Sequence, residues 1–184
     1  EAGGWLPFDR FMDLALYAPG LGYYVAGAEK LGAEGDFVTA PEISPLFARC
    51  LASPCREVLG KLGRGDVLEL GAGSGALAAE LLTTLAAEGP LPDRYLILEP
   101  SPDLAERQRQ TIARRAPALV ERCDWLARLP ERFSGVVLAN EVLDAMPVHR
   151  FRINEAGAVE EIGVTRSDTG FADACATVSS ELKS

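Results

Sequence analysis

The stretch from Asp66 to Gly75 reads DVLELGAGSG and joins a short apolar strand to a glycine-rich turn. A helical pattern follows from Ala76 to about Glu88, and a turn between strand and helix is the context that a cofactor-binding glycine loop needs. Glycine permits a sharp turn and close approach of a ligand, because a Cβ atom would collide with it. The free N–H groups and positive dipole end of the helix suit an anionic group.

Strands and helices alternate after this loop. Apolar patterns predict strands at 95–99, 119–122, 135–139, 148–154 and 159–164, and Ser101 or Asp103 caps a helix that ends near Ala116. The alternation predicts βαβ units and a mainly parallel sheet, an α/β fold. Beyond Ser167 the pattern is weak and predicts no element.

The segment before the loop is predicted to be helical, with a long loop inside it. Helical spacing covers 8–16 and 45–62, and Pro54 should kink or split the second helix. The loop at 32–45 is rich in Gly and Pro, and a loop of this length inside a compact domain is usually functional. We therefore expect an N-terminal helical extension with an active-site loop at 1–64 and an α/β core at 65–184.

Two ligand classes compete for the glycine loop. Gly71, Gly73 and Ala76 satisfy the dinucleotide fingerprint. Glu69 argues against a dinucleotide, because a carboxylate beside the loop would repel a pyrophosphate. It suits a cationic amino group, such as the methionine end of S-adenosylmethionine, and the even spacing of Gly71, Gly73 and Gly75 favours the same ligand.

Acids at the ends of later strands complete a predicted cofactor site. Glu99 ends the second core strand, where a carboxylate can accept hydrogen bonds from both hydroxyls of a ribose. Asp124 could bond the exocyclic amine of adenine, with Trp125 or Leu126 against the ring. The predicted cofactor-binding residues are Glu69, Gly71, Ala72, Gly73, Gly75, Glu99, Pro100, Asp124, Trp125 and Asn140.

Polar residues follow the strand at 135–139, where open α/β sheets bind their ligands. Asn140 and Glu141 fall where a transferred group would sit. If a helical turn begins there, Glu141 and Asp144 share a face and could hold a guanidinium or polarise an amine. We predict these two carboxylates as the catalytic residues, with a capping Asn and two solvated acids as the alternative reading.

Composition excludes several other classes. The chain of 184 residues carries 27 acidic residues against 18 Lys and Arg, a net charge of −9 that argues against a grip on duplex nucleic acid. No long apolar run predicts a membrane span. Four scattered cysteines without a CxxC pair, and the single His149, give no reason to predict a zinc site, and scattered thiols fit a reducing compartment.

Four segments in this order resemble the MidA-type S-adenosylmethionine-dependent methyltransferases, a family that includes the mitochondrial complex I assembly methyltransferase and bacterial relatives. They are LYAPGLGYY at 16–24, GDFVTAPEISPLF at 35–47, LEPSP at 98–102 and ANEVLDAMPV at 139–148. The resemblance covers about residues 4–153.

The resemblance implies a Rossmann-like class I methyltransferase sheet with helices on both faces and a helical N-terminal extension. A complete sheet of this class has more strands than are predicted here, so we expect C-terminal strands to be missing. The glycine loop, Glu69 and Glu99 would bind S-adenosyl-L-methionine. The loop at 35–42 would close over the site, and its predicted lid or substrate residues are Gly35, Asp36, Thr39, Pro41 and Glu42.

The leading functional hypothesis is therefore methyl transfer to a protein nitrogen, by resemblance an arginine of a respiratory complex I subunit. The expected location is the cytoplasm of a bacterium or the mitochondrial matrix of a eukaryote, and the oligomeric state is left open. A non-catalytic assembly module that works through protein contact is the alternative. A nicotinamide oxidoreductase is a third possibility, against which Glu69 argues.

Overall fold

The computed structural model describes residues 4–24, 39–178 and 182. In chain order the elements of these ranges are β1 (Trp5–Pro7), α1 (Phe8–Tyr17), α2 (Ala40–Ile43), α3 (Pro45–Leu62), β2 (Asp66–Leu70), α4 (Ala76–Glu88), β3 (Tyr95–Leu98), α5 (Pro102–Arg115), β4 (Cys123–Leu126), β5 (Gly135–Ala139), β6 (Arg150–Ile153), β7 (Val159–Ser167) and β8 (Gly170–Thr177), with 3-10 turns at Pro117–Arg122 and Leu143–Ala145.

The chain divides into two compact units, one formed by residues 28–143 and the other by 1–27 together with 144–184. This division differs from the boundary expected between residues 64 and 65. The physical reason is strand pairing, because β1 near the start of the chain lies antiparallel to β7 near its end. Contacts in space, rather than order along the chain, therefore define the units.

The unit at 28–143 is a parallel sheet with the strand order β4-β3-β2-β5. Each neighbouring pair is parallel, and α4 and α5 form the crossovers from β2 to β3 and from β3 to β4. The chain then returns to the other side of β2 to form β5. This reversal is a topological switch point, and open α/β sheets bind ligands beside it, at the carboxyl ends of the strands.

Apolar side chains from the sheet and helices form the core of this unit. Helix α4 is apolar almost all round and is buried over most of its length, as expected of a helix packed inside a protein. Its leucines at 81, 82 and 85 pack in one cluster with Tyr95, Ile97 and Ile112. Helix α3 begins at a Ser44 cap followed by Pro45, and it ends at the left-handed Gly63.

The other unit contains an antiparallel sheet centred on β7. Strands β6 and β1 pair with successive segments of one side of β7, and β8 pairs along the other side. The Trp5 indole donates a hydrogen bond to the Ala174 carbonyl over 3.0 Å. Phe11 of α1 packs edge-on against Phe171, with ring centroids 5.2 Å apart.

The α/β class and the parallel sheet are confirmed, but several local predictions are wrong. Residues 119–122 lie in a 3-10 turn that begins at Pro117, and the strand starts only at Cys123. Helix α3 continues through Pro54, so the predicted split does not occur, while the kink stays a prediction. The region after Ser167 forms β8 because β7 provides a long partner for it. No helix in the ranges with assigned structure is both long and apolar enough to cross a membrane.

Candidate functional site

The glycine loop joins β2 to α4 in three left-handed steps. Gly71, Gly73 and Gly75 have φ angles of 60°, 55° and 84°, a region that residues with a Cβ atom enter only at a cost. The Gly75 N–H donates to the Ala72 carbonyl over 2.8 Å and closes the turn. All three glycines are therefore required by the backbone, as the sequence predicted.

Neighbouring elements hold the loop in place at both ends. The Gly71 N–H donates to the Leu98 carbonyl over 3.1 Å, so the loop begins against the end of β3. A Cβ atom at Gly75 would lie 3.1 Å from the Cα of Gln108 on α5. The loop therefore fits closely against α5, and a side chain at Gly75 would require α5 to shift by a few tenths of an ångström.

Helix α4 offers its N-terminus at this edge of the sheet. Ser74 Oγ accepts a hydrogen bond from the Ala76 N–H over 3.2 Å, and the Ser74 hydroxyl donates to the Glu42 carboxylate. Glu42 belongs to α2, so this contact joins a predicted lid residue to the glycine loop. Thr39 and Pro41 lie at the start of the same short helix. Gly35 and Asp36 fall outside the described residues.

Glu69 lies on β2 and its side chain is buried, with the residue 3% exposed. The Tyr95 hydroxyl donates to its Oε2 over 2.7 Å. Burial raises the pKa of Glu69 from 4.5 to about 7, and the Tyr95 hydrogen bond opposes the shift. A buried carboxylate of this kind favours a cationic neighbour, because a nearby positive charge stabilises its ionised form.

Glu99 follows β3 and is half-buried beside the loop. The Ser101 N–H donates to Oε1 over 3.0 Å, and Gln108 Nε2 donates to Oε2 over 2.9 Å. Burial raises the pKa of Glu99, while these two hydrogen bonds lower it. Each carboxylate oxygen has one protein donor and keeps further acceptor capacity, which suits two ligand hydroxyls.

Gln108 is a functional candidate that the sequence analysis missed. It is fully buried on the inner face of α5, between Ala105 and Ile112. Its Oε1 accepts a hydrogen bond from Trp125 Nε1 over 2.9 Å, which supports the predicted place of Trp125 near the site. The available signal was a polar residue at a position that the helical spacing reserves for apolar ones.

Asp124 and Trp125 are adjacent on β4, and their side chains therefore point to opposite faces of the sheet. The Asp124 carboxylate is ion-paired with Arg94, which directly precedes β3. The Arg109 guanidinium lies over the Trp125 ring, 4.4 Å from its centroid. Contact of Asp124 with an adenine amine stays a prediction, and its present partner is an arginine.

No helical turn begins at Asn140, although such a turn was the condition for Glu141 and Asp144 to share a face. Glu141 is exposed and has a left-handed φ of 54°, and the 3-10 turn begins only at Leu143. The i, i+3 argument for Glu141 and Asp144 therefore fails, because no helix connects them. Asn140 directly follows β5 at the carboxyl edge, as predicted. Asp144 belongs to the other unit. In that unit the pKa of Tyr24 is raised, mainly by the burial of Tyr24 and to a smaller extent by the negative charge of Asp144.

The unit at 1–27 and 144–184 brings three further titratable groups together. His149 Nδ1 lies 3.1 Å from Glu161 Oε1 and 3.7 Å from Asp9 Oδ1. The Glu161 side chain is 4% exposed, and Asp9 Oδ1 has no hydrogen-bond partner within the described residues. Metal ligands can be spaced in this way, but pairing of the imidazole with Glu161 explains the closest contact without an ion.

The geometry of the glycine loop and its neighbouring acids agrees with the family that the chain matches. A family model described as "Putative S-adenosyl-L-methionine-dependent methyltransferase" matches residues 50–184, a range that contains the glycine loop, Glu99 and Gln108. The chain belongs to this family.

Solved structures similar to this methyltransferase-family chain support the same fold. A crystal structure from Burkholderia thailandensis bound to S-adenosyl-homocysteine is 50% identical, has a TM-score of 0.88, and is matched over 97% of this chain and 47% of that chain. A native structure from the same organism is 49% identical with a TM-score of 0.84, over 99% of this chain and 46% of that one.

Curated relatives carry a more specific name. "Protein arginine methyltransferase NDUFAF7, mitochondrial" of Danio rerio is 30% identical over 181 residues, which are 85% of this chain and 42% of the relative. The Drosophila melanogaster homologue is 32% identical over 174 residues, or 82% of this chain and 39% of the relative. The chain thus spans about two fifths of the length of these relatives.

Proposed function

We propose that this chain is the cofactor-binding part of a methyltransferase that uses S-adenosyl-L-methionine to methylate an arginine side chain of a protein. The observation that carries the proposal is the left-handed glycine loop between Glu69 and α4, with Glu99 at the end of the next strand. The names of the curated relatives support arginine as the acceptor.

The residues of the loop fit the cofactor. A Cβ atom at Gly75 would press against Gln108, and the left-handed glycines leave backbone surface open to a ligand. Glu69 would attract the cofactor's ammonium group, and Glu99 would accept hydrogen bonds from the ribose hydroxyls. When bound, S-adenosyl-L-methionine supplies an electrophilic methyl group on a positively charged sulfur.

The acceptor side of the proposal concerns carboxylates after β5. An arginine guanidinium stays protonated at ordinary pH, so a nearby carboxylate must help to remove the proton that leaves during transfer. Glu141 is exposed and lies two residues after the end of β5, the strand that borders β2. We propose that Glu141 orients the guanidinium and receives the proton.

The test uses the full-length protein with tritiated S-adenosyl-L-methionine and a cell lysate, followed by mass spectrometry of the labelled band. The proposal expects label on an arginine. It expects Glu141→Gln to lower turnover about 100-fold while changing S-adenosyl-homocysteine affinity less than about 3-fold. Glu131→Gln, at an exposed carboxylate outside the site, is the matched control.

Each outcome of this assay has a separate meaning. Label on another residue type would overturn arginine as the acceptor, and full turnover in Glu141→Gln would overturn the role of that carboxylate. Cofactor binding without any methyl transfer would favour the assembly-module alternative.

Location follows the relatives, whose names call them mitochondrial. We propose a respiratory complex I subunit as the acceptor, which the resemblance to the MidA-type family supports. The enzyme would then act in the mitochondrial matrix of a eukaryote, or in the cytoplasm if the source is bacterial. Identification of the labelled band tests the acceptor directly, because any other protein in that band contradicts it.

A further inference from the structure

Gln108 connects three parts of the cofactor site. Its Nε2 donates to Glu99 Oε2 over 2.9 Å and to the Gly73 carbonyl over 3.1 Å, and its Oε1 accepts from Trp125 Nε1 over 2.9 Å. The side chain is fully buried, at 0% exposure. One amide therefore bonds to the glycine loop, to the acid after β3 and to the aromatic residue of β4.

The amide can take only one orientation in this environment. Glu99 and the Gly73 carbonyl are acceptors, whereas the indole N–H of Trp125 is a donor. Exchange of the amide nitrogen and oxygen would set oxygen against oxygen and N–H against N–H, which leaves buried polar groups unpaired at a cost in free energy. All three partners thus favour the same arrangement of the side chain.

This arrangement fixes the Glu99 carboxylate from two sides. The Ser101 N–H binds Oε1 while Gln108 binds Oε2, so rotation of the carboxylate would break both hydrogen bonds. The remaining acceptor sites of the two oxygens are thereby fixed relative to the glycine loop. A cofactor ribose that donates to both oxygens would find them already oriented, which saves the entropy of ordering them on binding.

We propose that Gln108 is a positioning residue that holds Glu99 in register with the glycine loop for recognition of the ribose hydroxyls. The inference rests on the proposed function and deepens it, because it names a residue that does not need to touch the cofactor and yet sets selectivity for its sugar. A role confined to packing would instead affect every ligand of the loop equally.

The experiment measures two ligands against matched variants of the full-length protein. Calorimetry gives the affinities of S-adenosyl-homocysteine and of its 2′,3′-dideoxy analogue for wild type, Gln108→Met and Gln110→Met. Methionine keeps the length of the glutamine side chain without its hydrogen bonds. Gln110 lies on the same helix, is exposed, and bonds only to the exposed Glu106 within the described residues.

The proposal expects a difference in discrimination rather than a uniform loss. Wild type should prefer the ligand with both hydroxyls by about 100-fold, since hydrogen bonds to a charged group are strong. In Gln108→Met this preference should fall below about 10-fold, while affinity for the dideoxy analogue changes less than about 3-fold. Gln110→Met should match wild type with both ligands.

Two results would overturn the inference in distinguishable ways. Equal weakening of both ligands in Gln108→Met assigns the residue a packing role and leaves the methyltransferase proposal intact. A wild type that binds neither ligand removes the proposed function and the inference together. If Gln108→Met does not fold, Gln108→Glu preserves the shape and the acceptor for Trp125 but repels Glu99, and the same loss of discrimination is expected.

Discussion

Replacement of Glu69 by glutamine should stabilise the protein increasingly as the pH rises. Burial raises the pKa of Glu69 from 4.5 to about 7, so the folded state holds a proton that the unfolded state has already released. Stability is therefore greatest below pH 4.5 and is lost as the pH rises through 7. Each pH unit between the two pKa values changes the free energy of unfolding by about 1.4 kcal/mol. Glu69 therefore lowers the free energy of unfolding of wild type by about 1 kcal/mol at pH 5 and by about 3 kcal/mol at pH 8.

The measurement is urea unfolding of wild type and Glu69→Gln at intervals from pH 5 to pH 8. Trp125 lies in the same unit as Glu69 and reports on it by fluorescence in a Trp5→Phe background. The difference between the two unfolding free energies should grow by about 2 kcal/mol over this range. Glu131→Gln, at an exposed carboxylate, should run parallel to wild type. A constant difference between Glu69→Gln and wild type would refute the reasoning.

Ligand binding gives the same prediction a second readout. A cofactor ammonium beside Glu69 favours the ionised carboxylate, so binding must release the proton that the free protein holds. Affinity of wild type for S-adenosyl-homocysteine should rise up to about tenfold per pH unit below pH 7 and then level off. Glu69→Gln should bind S-adenosyl-homocysteine more weakly, and its affinity should lack the pH dependence that the Glu69 carboxylate causes.

Two further predictions test the backbone of the loop and the buried pair of the other unit. Gly75→Ala places a Cβ atom 3.1 Å from Gln108 Cα at a φ of 84°, so it should lose more than about 1 kcal/mol of stability and most S-adenosyl-homocysteine binding. Gly60→Ala, in open space on α3, should instead gain about 1 kcal/mol in urea unfolding, and the same sign in both variants would contradict the argument. His149→Ala leaves the Glu161 carboxylate, at 4% exposure, without its imidazole, and should lose about 2 kcal/mol in urea unfolding. The double variant His149→Ala/Glu161→Gln should recover the lost stability. A His149→Ala variant as stable as wild type would show that the pair is not stabilising.

The sequence pattern predicted the structure correctly where the conformation of a segment depends on its own residues. The glycine loop was predictable because left-handed φ angles at Gly71, Gly73 and Gly75 need residues without a Cβ atom. The start of helix α5 was predictable, with Ser101 or Asp103 as the cap, because such polar side chains can satisfy a helix start by themselves, and Ser101 is the cap in the structure.

Predictions failed where a distant segment decides the outcome. Residues 119–122 begin with the apolar pair Leu119 and Val120, yet β4 starts at Cys123, which pairs with Tyr95. Strand β8 has a weak pattern and forms along nearly the whole of β7. Glu141 leaves β5 with a left-handed φ instead of starting a helix, which no residue spacing indicated.

The sequence by itself determined the α/β class, the glycine loop and the two acids beside it, because these follow from short-range periodicity and from the conformational freedom of glycine. Tertiary structure alone decided that α5 approaches the loop closely enough for Gln108 to bond Gly73, Glu99 and Trp125. It also decided that Tyr95 and Glu69 meet in the core and that β1 joins β7. These contacts join residues of different elements, and their energies depend on burial, which no local pattern specifies.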